Sequence, residues 1–100
     1  MNIKNKLKFS EDKPSVLNLH KSAQSEVITI GLKKGQRLNK HVTHVSTLLV
    51  VLQGEIKIII NDKAMHFKAL DVYPIPVNIP HETYAVTDEA IFILIKDNHK

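Results

Sequence analysis

Cysteine is absent from this chain, which excludes disulfides and thiolate metal sites alike. Glycine and proline are scarce, three and four among 100 residues, so turns are few and must be well placed. No apolar run reaches the length of a membrane span, and the opening MNIKNKLKFSEDKP has no apolar stretch of signal-peptide length. The expected location is therefore the cytoplasm, with no membrane partner. Arginine occurs once, against thirteen lysines, within a formal charge of +4. The lysines are spread along the chain and aromatics make up 5%, leaving little to stack on bases. That balance reads as a solvated lysine surface rather than a nucleic-acid site.

What is present is an ordinary globular composition, 43% hydrophobic and 24% charged, sized for one domain with a single core. There is no internal repeat, low-complexity tract or domain linker. Residues 1–25 read as an N-terminal arm that joins the sheet or a dimer contact. Within it residues 3–9 alternate, Ile3, Leu7 and Phe9 against lysines, as a half-buried strand does. Glu11–Pro14 breaks that pattern, and residues 16–19 supply a second extended piece.

Residues 26–97 then read as strand after strand. Segments 27–32, 38–45, 47–52, 55–60, 72–75, 81–86 and 90–95 are β-branched or alternating, with turns at Lys33–Gly35, Gln53–Gly54, Asn61–Asp62 and Thr87–Glu89. Met65 and Phe67 point one way from a further strand, which puts His66 outside. Short strands at roughly ten-residue spacing, without an amphipathic helix, predict an all-β sandwich or barrel. TLLVVL and AIFILI are apolar on both faces, so a second layer must cover them. A homodimer is the expected cover, with burial within one chain as the alternative.

Two stretches carry a family resemblance. GQRLNKHVTHVSTLLVVLQG, residues 35–54, has Gly35, His41 and Gly54 at the spacing of G-x5-H-x-H-x3–4-E-x6-G, with Thr43 and Thr47 where the second His and the Glu would stand. DVYPIPVNIPH, residues 71–81, has Pro76 and His81 at the spacing of G-x5-P-x-G-x2-H-x3-N, with Leu70, Asn78 and Ala85 in place of Gly, Gly and Asn. Together they resemble the motifs of the cupin superfamily, over about residues 28–95. The resemblance implies a jelly-roll β-barrel with a metal or small ligand held inside.

In the full motif, two His at i and i+2 share a strand face and join a Glu and a third His as ligands for Fe, Mn, Zn, Ni or Cu. Here the resemblance carries His41 and His81 as candidate metal ligands. His44 would join them only if a bulge turned it inward, since an odd spacing on a regular strand puts it opposite His41. Thr43 and Thr47 are neutral hydroxyls, poor ligands for those metals. The candidate pocket is lined by His41, Thr43, Thr47 and His81, with Tyr73 and Tyr84 contributing hydroxyl handles or rim packing. Glu82 should face away from His81, and His20 and His99 read as solvent-exposed.

Three functions remain open at this stage. The first is a small single-domain cupin that binds a small molecule, with or without a divalent metal. The second is a cupin enzyme, either a metal-dependent oxygenase or an isomerase-like protein using His81 or His41 as general base. The third is a barrel plugged by its own side chains that serves as a structural or interaction module. Neither the substrate nor any reaction is named by the residues.

Overall fold

A computed structural model describes residues 1–97, apart from the side chains of Asn39 and His41; His99 lies outside the described residues. A short helix, α1 (Ile3–Lys6), precedes nine strands: β1 (Ser15–Lys21), β2 (Ser25–Lys33), β3 (Arg37–His41), β4 (Ser46–Gln53), β5 (Glu55–Ile60), β6 (Lys63–Lys68), β7 (Val72–Ile75), β8 (His81–Ala85) and β9 (Glu89–Asp97). They form a five-stranded sheet in the order β1-β2-β9-β4-β7 and a four-stranded sheet in the order β3-β8-β5-β6. All pairings are antiparallel. The all-β architecture expected from the sequence is the one observed. Among the described residues no helix is long and apolar enough to cross a membrane.

Alternation builds the core. On β5, Ile56, Ile58 and Ile60 are buried while Glu55, Lys57 and Ile59 are not. Leu32 from β2, Leu49 and Val51 from β4, and Phe92 from β9 meet these isoleucines and are fully enclosed. Each such burial contributes about 1.5–3 kcal/mol, which makes this the stable part of the molecule. At the sheet edges Phe67 of β6 stacks on Tyr73 of β7, ring centroids 4.8 Å apart at 30°, packing one side of the sandwich.

Asn61 and Asp62 both take positive φ, 52° and 63°, in the two-residue turn between β5 and β6. Two left-handed residues give the turn whose twist suits a hairpin, and Asn and Asp tolerate that conformation.

The outer face of the five-stranded sheet is apolar in two cross-strand rows. One runs Val72, Val50, Ile93, Thr29, Leu17, and the other Pro74, Leu48, Ile95, Val27, ending on His20 of β1. This is the second apolar face that TLLVVL and AIFILI foretold. The N-terminal arm covers one flank of it: a Cβ on Gly31 would meet Leu7 at 2.8 Å and Phe9 at 3.2 Å. Leu7 is buried there.

The arm departs from expectation in its first turn. Residues 3–6 are helical, not extended, because the Asn2 side chain accepts a hydrogen bond from the Asn5 N–H and the Leu7 N–H bonds the Ile3 carbonyl. Asparagine is a favoured helix N-cap. Residues 15–21 do form a strand, paired with the chain's own β2. The expected strand over 38–45 is shorter and ends at His41.

The sheet edges are irregular or charged. β1 carries a bulge between Asn18 and His20, and β3 a register shift between Leu38 and His41. β7 contains Pro74, and β6 begins and ends on exposed lysines, Lys63 and Lys68.

Candidate functional site

Two connections cross between the sheets at the same end. Residues 42–45 lead from β3 to β4, and residues 76–80 lead from β7 to β8. They are bonded to one another: the Asn78 N–H donates to the Thr43 carbonyl at 2.8 Å, and His44 Nδ1 lies 2.9 Å from Asn78 Oδ1. Asn78 holds φ +63°, a conformation Asn accepts more readily than most residues.

Beneath these loops the interior changes from aliphatic to polar. His81, the first residue of β8, is only 2% exposed. Its Nδ1 is 3.2 Å from the Ile79 carbonyl. A carbonyl can only accept, so Nδ1 is the nitrogen that carries a proton in this contact. Thr47 on β4 is 3% exposed and donates its hydroxyl proton to the Val45 carbonyl at 3.0 Å. Thr43 is buried in the crossing loop, and Thr83 lies one inward position deeper on β8.

The condition for His44 to turn inward is a bulge between it and His41; the irregularity observed on this strand lies before His41 instead. The register shift between Leu38 and His41 sets the His41 backbone directly opposite His81. His44 falls in the following loop, exposed to solvent, with its ring tied to Asn78. It is thus placed apart from the buried face that carries His81.

The tyrosines separate. Tyr73 packs its ring against the core and Phe67. Tyr84 is on the outer face of the four-stranded sheet, because it stands three residues from His81 and strand sides alternate. There its hydroxyl donates to Glu82 at 2.8 Å and accepts from Arg37 at 3.3 Å, with the Lys57 ammonium 5.1 Å from its ring centre. Glu82 shares that outer face, as expected. His20 and His66 are exposed, and His66 Nδ1 is 3.2 Å from a Glu55 carboxylate oxygen.

Residue parity along β9 reveals a group that the motif comparison passes over. Phe92 and Leu94 face inward, and the next inward position is Lys96. Lys96 is paired with Thr47 on one side and with Glu26 on the other.

The threonines at two of the motif positions are poor donors for a metal. Among the described residues no three His, Cys, Asp or Glu side chains come together as a metal-binding group. Two of the four motif positions offer threonine hydroxyls, and the Thr47 proton is already committed to a carbonyl.

No family model matches the sequence, and no curated protein matches it. Solved structures do match in shape. A cupin 2 conserved barrel domain protein from Leptotrichia buccalis is 27% identical over 97% of this chain, with a TM-score of 0.87, and this chain spans 47% of that longer one. A cupin superfamily protein from Desulfitobacterium hafniense is 18% identical, with 93% of this chain and 84% of that chain covered and a TM-score of 0.84. An RmlC-like cupin with a double-stranded β-helix fold from Methanocaldococcus jannaschii is 21% identical, with coverages of 93% and 89% and a TM-score of 0.80. With two facing antiparallel sheets and a polar end under paired crossover loops, this chain is a small cupin-fold protein.

Proposed function

We propose that the protein binds a small organic molecule at the polar end of its barrel, against His81, Thr43 and Thr47, with His41 across the strand. The observation that carries this reading is the burial of an imidazole and two hydroxyls at one end of an otherwise aliphatic interior. Convergent polar groups at one end of an apolar interior are the arrangement of a small-molecule site, and the Thr47 oxygen keeps lone pairs to offer an occupant.

An enzymatic reading has one observation in its favour. Holding Nδ1–H on the Ile79 carbonyl fixes the His81 tautomer, as a general base requires. Metal chemistry draws less support from the donor set, and no step is derived through a metal.

The test is an amide NMR screen with a small-molecule fragment library, run on wild type and on Thr47→Val and His81→Gln. Shifts gathered at residues 43, 47 and 81, weakened in both variants, are the expected result. Shifts elsewhere, or none, would sink the reading. Titration with Mn(II) or Ni(II) in the same assay addresses the metal directly: broadening centred on His81 and His41 would restore it.

We also propose that the two apolar rows on the outer face of the five-stranded sheet meet the same face of a second copy. The chain has thirteen lysines, yet neither row contains a lysine, an arginine or a carboxylate. An uncharged face lets two copies of a cationic chain approach without like-charge repulsion across the contact. Light scattering is expected to give a dimer for wild type and a folded monomer for Val50→Lys. A wild-type monomer at high concentration would refute the pairing.

A further inference from the structure

We propose that the occupant of this site is a small hydroxycarboxylate, with Lys96 holding its carboxylate. The proposal rests on the small-molecule reading above and names the chemical class.

Directly opposed residues of an antiparallel pair lie on the same face of the sheet. Lys96 is opposite Thr47, and Thr47 is buried on the inner face. The register therefore places an ammonium-bearing side chain on the inward row that includes Thr47, at the end of the barrel where His81 and the two crossing loops meet. The same row continues to Glu26 on β2 and, at the sheet edge, to Lys21 on β1. That carboxylate makes no ion pair with Lys96; its Oε2 is 3.5 Å from the Asn18 side-chain amide instead.

Among the described residues Lys96 takes part in no ion pair and no side-chain hydrogen bond. Lysine on an inward row is unusual, since an ammonium group needs a counter-ion once it is partly desolvated. Across the barrel, the corresponding row of the four-stranded sheet runs from His81 through Ile60 to Lys63, at the exposed hairpin. The rim thus carries cations on both sheets, with Lys96 the one directly opposite Thr47. A carboxylate is the anion that suits one ammonium at this scale.

The second half of the class comes from Thr47. Its hydroxyl proton goes to the Val45 carbonyl, so towards the interior it has only lone pairs to offer. An acceptor beside a cation matches a ligand that carries its own O–H next to its carboxylate. A second carboxylate oxygen would find no donor at Thr47. A hydroxyl α or β to the acid satisfies both residues at once.

The experiment is an amide NMR titration with three matched probes: lactate, propionate, which lacks the hydroxyl, and lactamide, which lacks the charge. Gluconate serves as a larger hydroxycarboxylate. Lactate or gluconate is expected to shift the amides of Thr47 and Lys96, with lactamide at least about tenfold weaker and propionate between them. Lys96→Gln should lose about tenfold in affinity, Lys96→Arg should retain most of it, and Glu26→Gln should tighten it. Lys57→Gln, on the outer face, should change nothing.

If lactamide binds as well as lactate, or Lys96→Gln binds as wild type, the charge assignment is wrong while the small-molecule reading stands. If propionate equals lactate, the hydroxyl assignment fails alone. If neutral fragments shift residues 43, 47 and 81 but no acid does so up to about 50 mM, the class is wrong. If nothing binds, both readings fall together.

Discussion

Leu70 and Asn78 bracket β7 with the same left-handed backbone, φ +77° and +63°. Leu70 is the third residue of the turn Lys68–Asp71, closed by the Asp71 N–H on the Lys68 carbonyl and braced by the Asp71 carboxylate on the Lys68 N–H. Asparagine tolerates this conformation; leucine is strained in it by about 1–2 kcal/mol. The Leu70 side chain is 83% exposed and recovers little by burial. Leu70→Gly should therefore raise stability by about 0.5–1 kcal/mol in urea denaturation, the remainder being offset by the freer unfolded chain. A loss of stability would mean that the turn does not need the left-handed residue.

Gly54 and Gly35 make a controlled pair. Both have positive φ, 76° and 91°. A Cβ on Gly54 would sit 2.2 Å from the Glu89 carbonyl oxygen, while one on Gly35 meets nothing within 4 Å. Gly35→Ala should cost about 1 kcal/mol, the backbone penalty alone. Gly54→Ala must also push two backbone segments apart and should cost about 3 kcal/mol or more. Equal losses would show that the close approach adds nothing.

Thr29 is fully buried, and its hydroxyl has no hydrogen-bond partner. Valine has nearly the same shape without the polar atom. Thr29→Val should stabilise the protein by about 1 kcal/mol or more, since an unmet buried hydroxyl forfeits its hydration. A destabilised variant would reveal a partner for that oxygen.

The arm is tied to the barrel by polar contacts at the β2–β3 turn. Lys33 Nζ is 2.6 Å from Glu11, and the Gln36 amide donates to the Ser10 carbonyl at 2.6 Å. The hydrogen bond to Glu11 raises the Lys33 pKa above the ordinary lysine value of 10.5. A raised folded-state pKa means the contribution is complete below 10.5 and disappears as pH climbs through the folded value. The stability difference between wild type and Glu11→Gln should thus be constant from neutral pH to about 9 and shrink in more alkaline buffer. A difference that grows with alkalinity would contradict the assignment.

Most strands were legible because one face of each had to be apolar. Glu55–Ile60 shows this in its plain alternation, and the structure starts and ends that strand at the same residues. The arm was misread because Ile3 and Leu7 are four apart, a spacing shared by two strand repeats and one helical turn; Asn2 as a cap decides between them. Parity alone separates Tyr84 from His81 and places Lys96 with Phe92, so both were within reach of the sequence. The tie between His44 and Asn78 was not, because 34 residues separate them and only the crossing of two loops brings them together.

The free strands of both sheets are spoiled for pairing: a bulge in β1, Pro74 in β7, a register shift in β3, and lysines at the ends of β6. An unblocked edge would template another strand without limit. The pairing proposed above would then be confined to the broad apolar face, a surface that a single partner consumes. Growth into ribbons or fibres by edge pairing is disfavoured, and if that face pairs, concentrating this lysine-rich chain should drive it to a closed pair and no further.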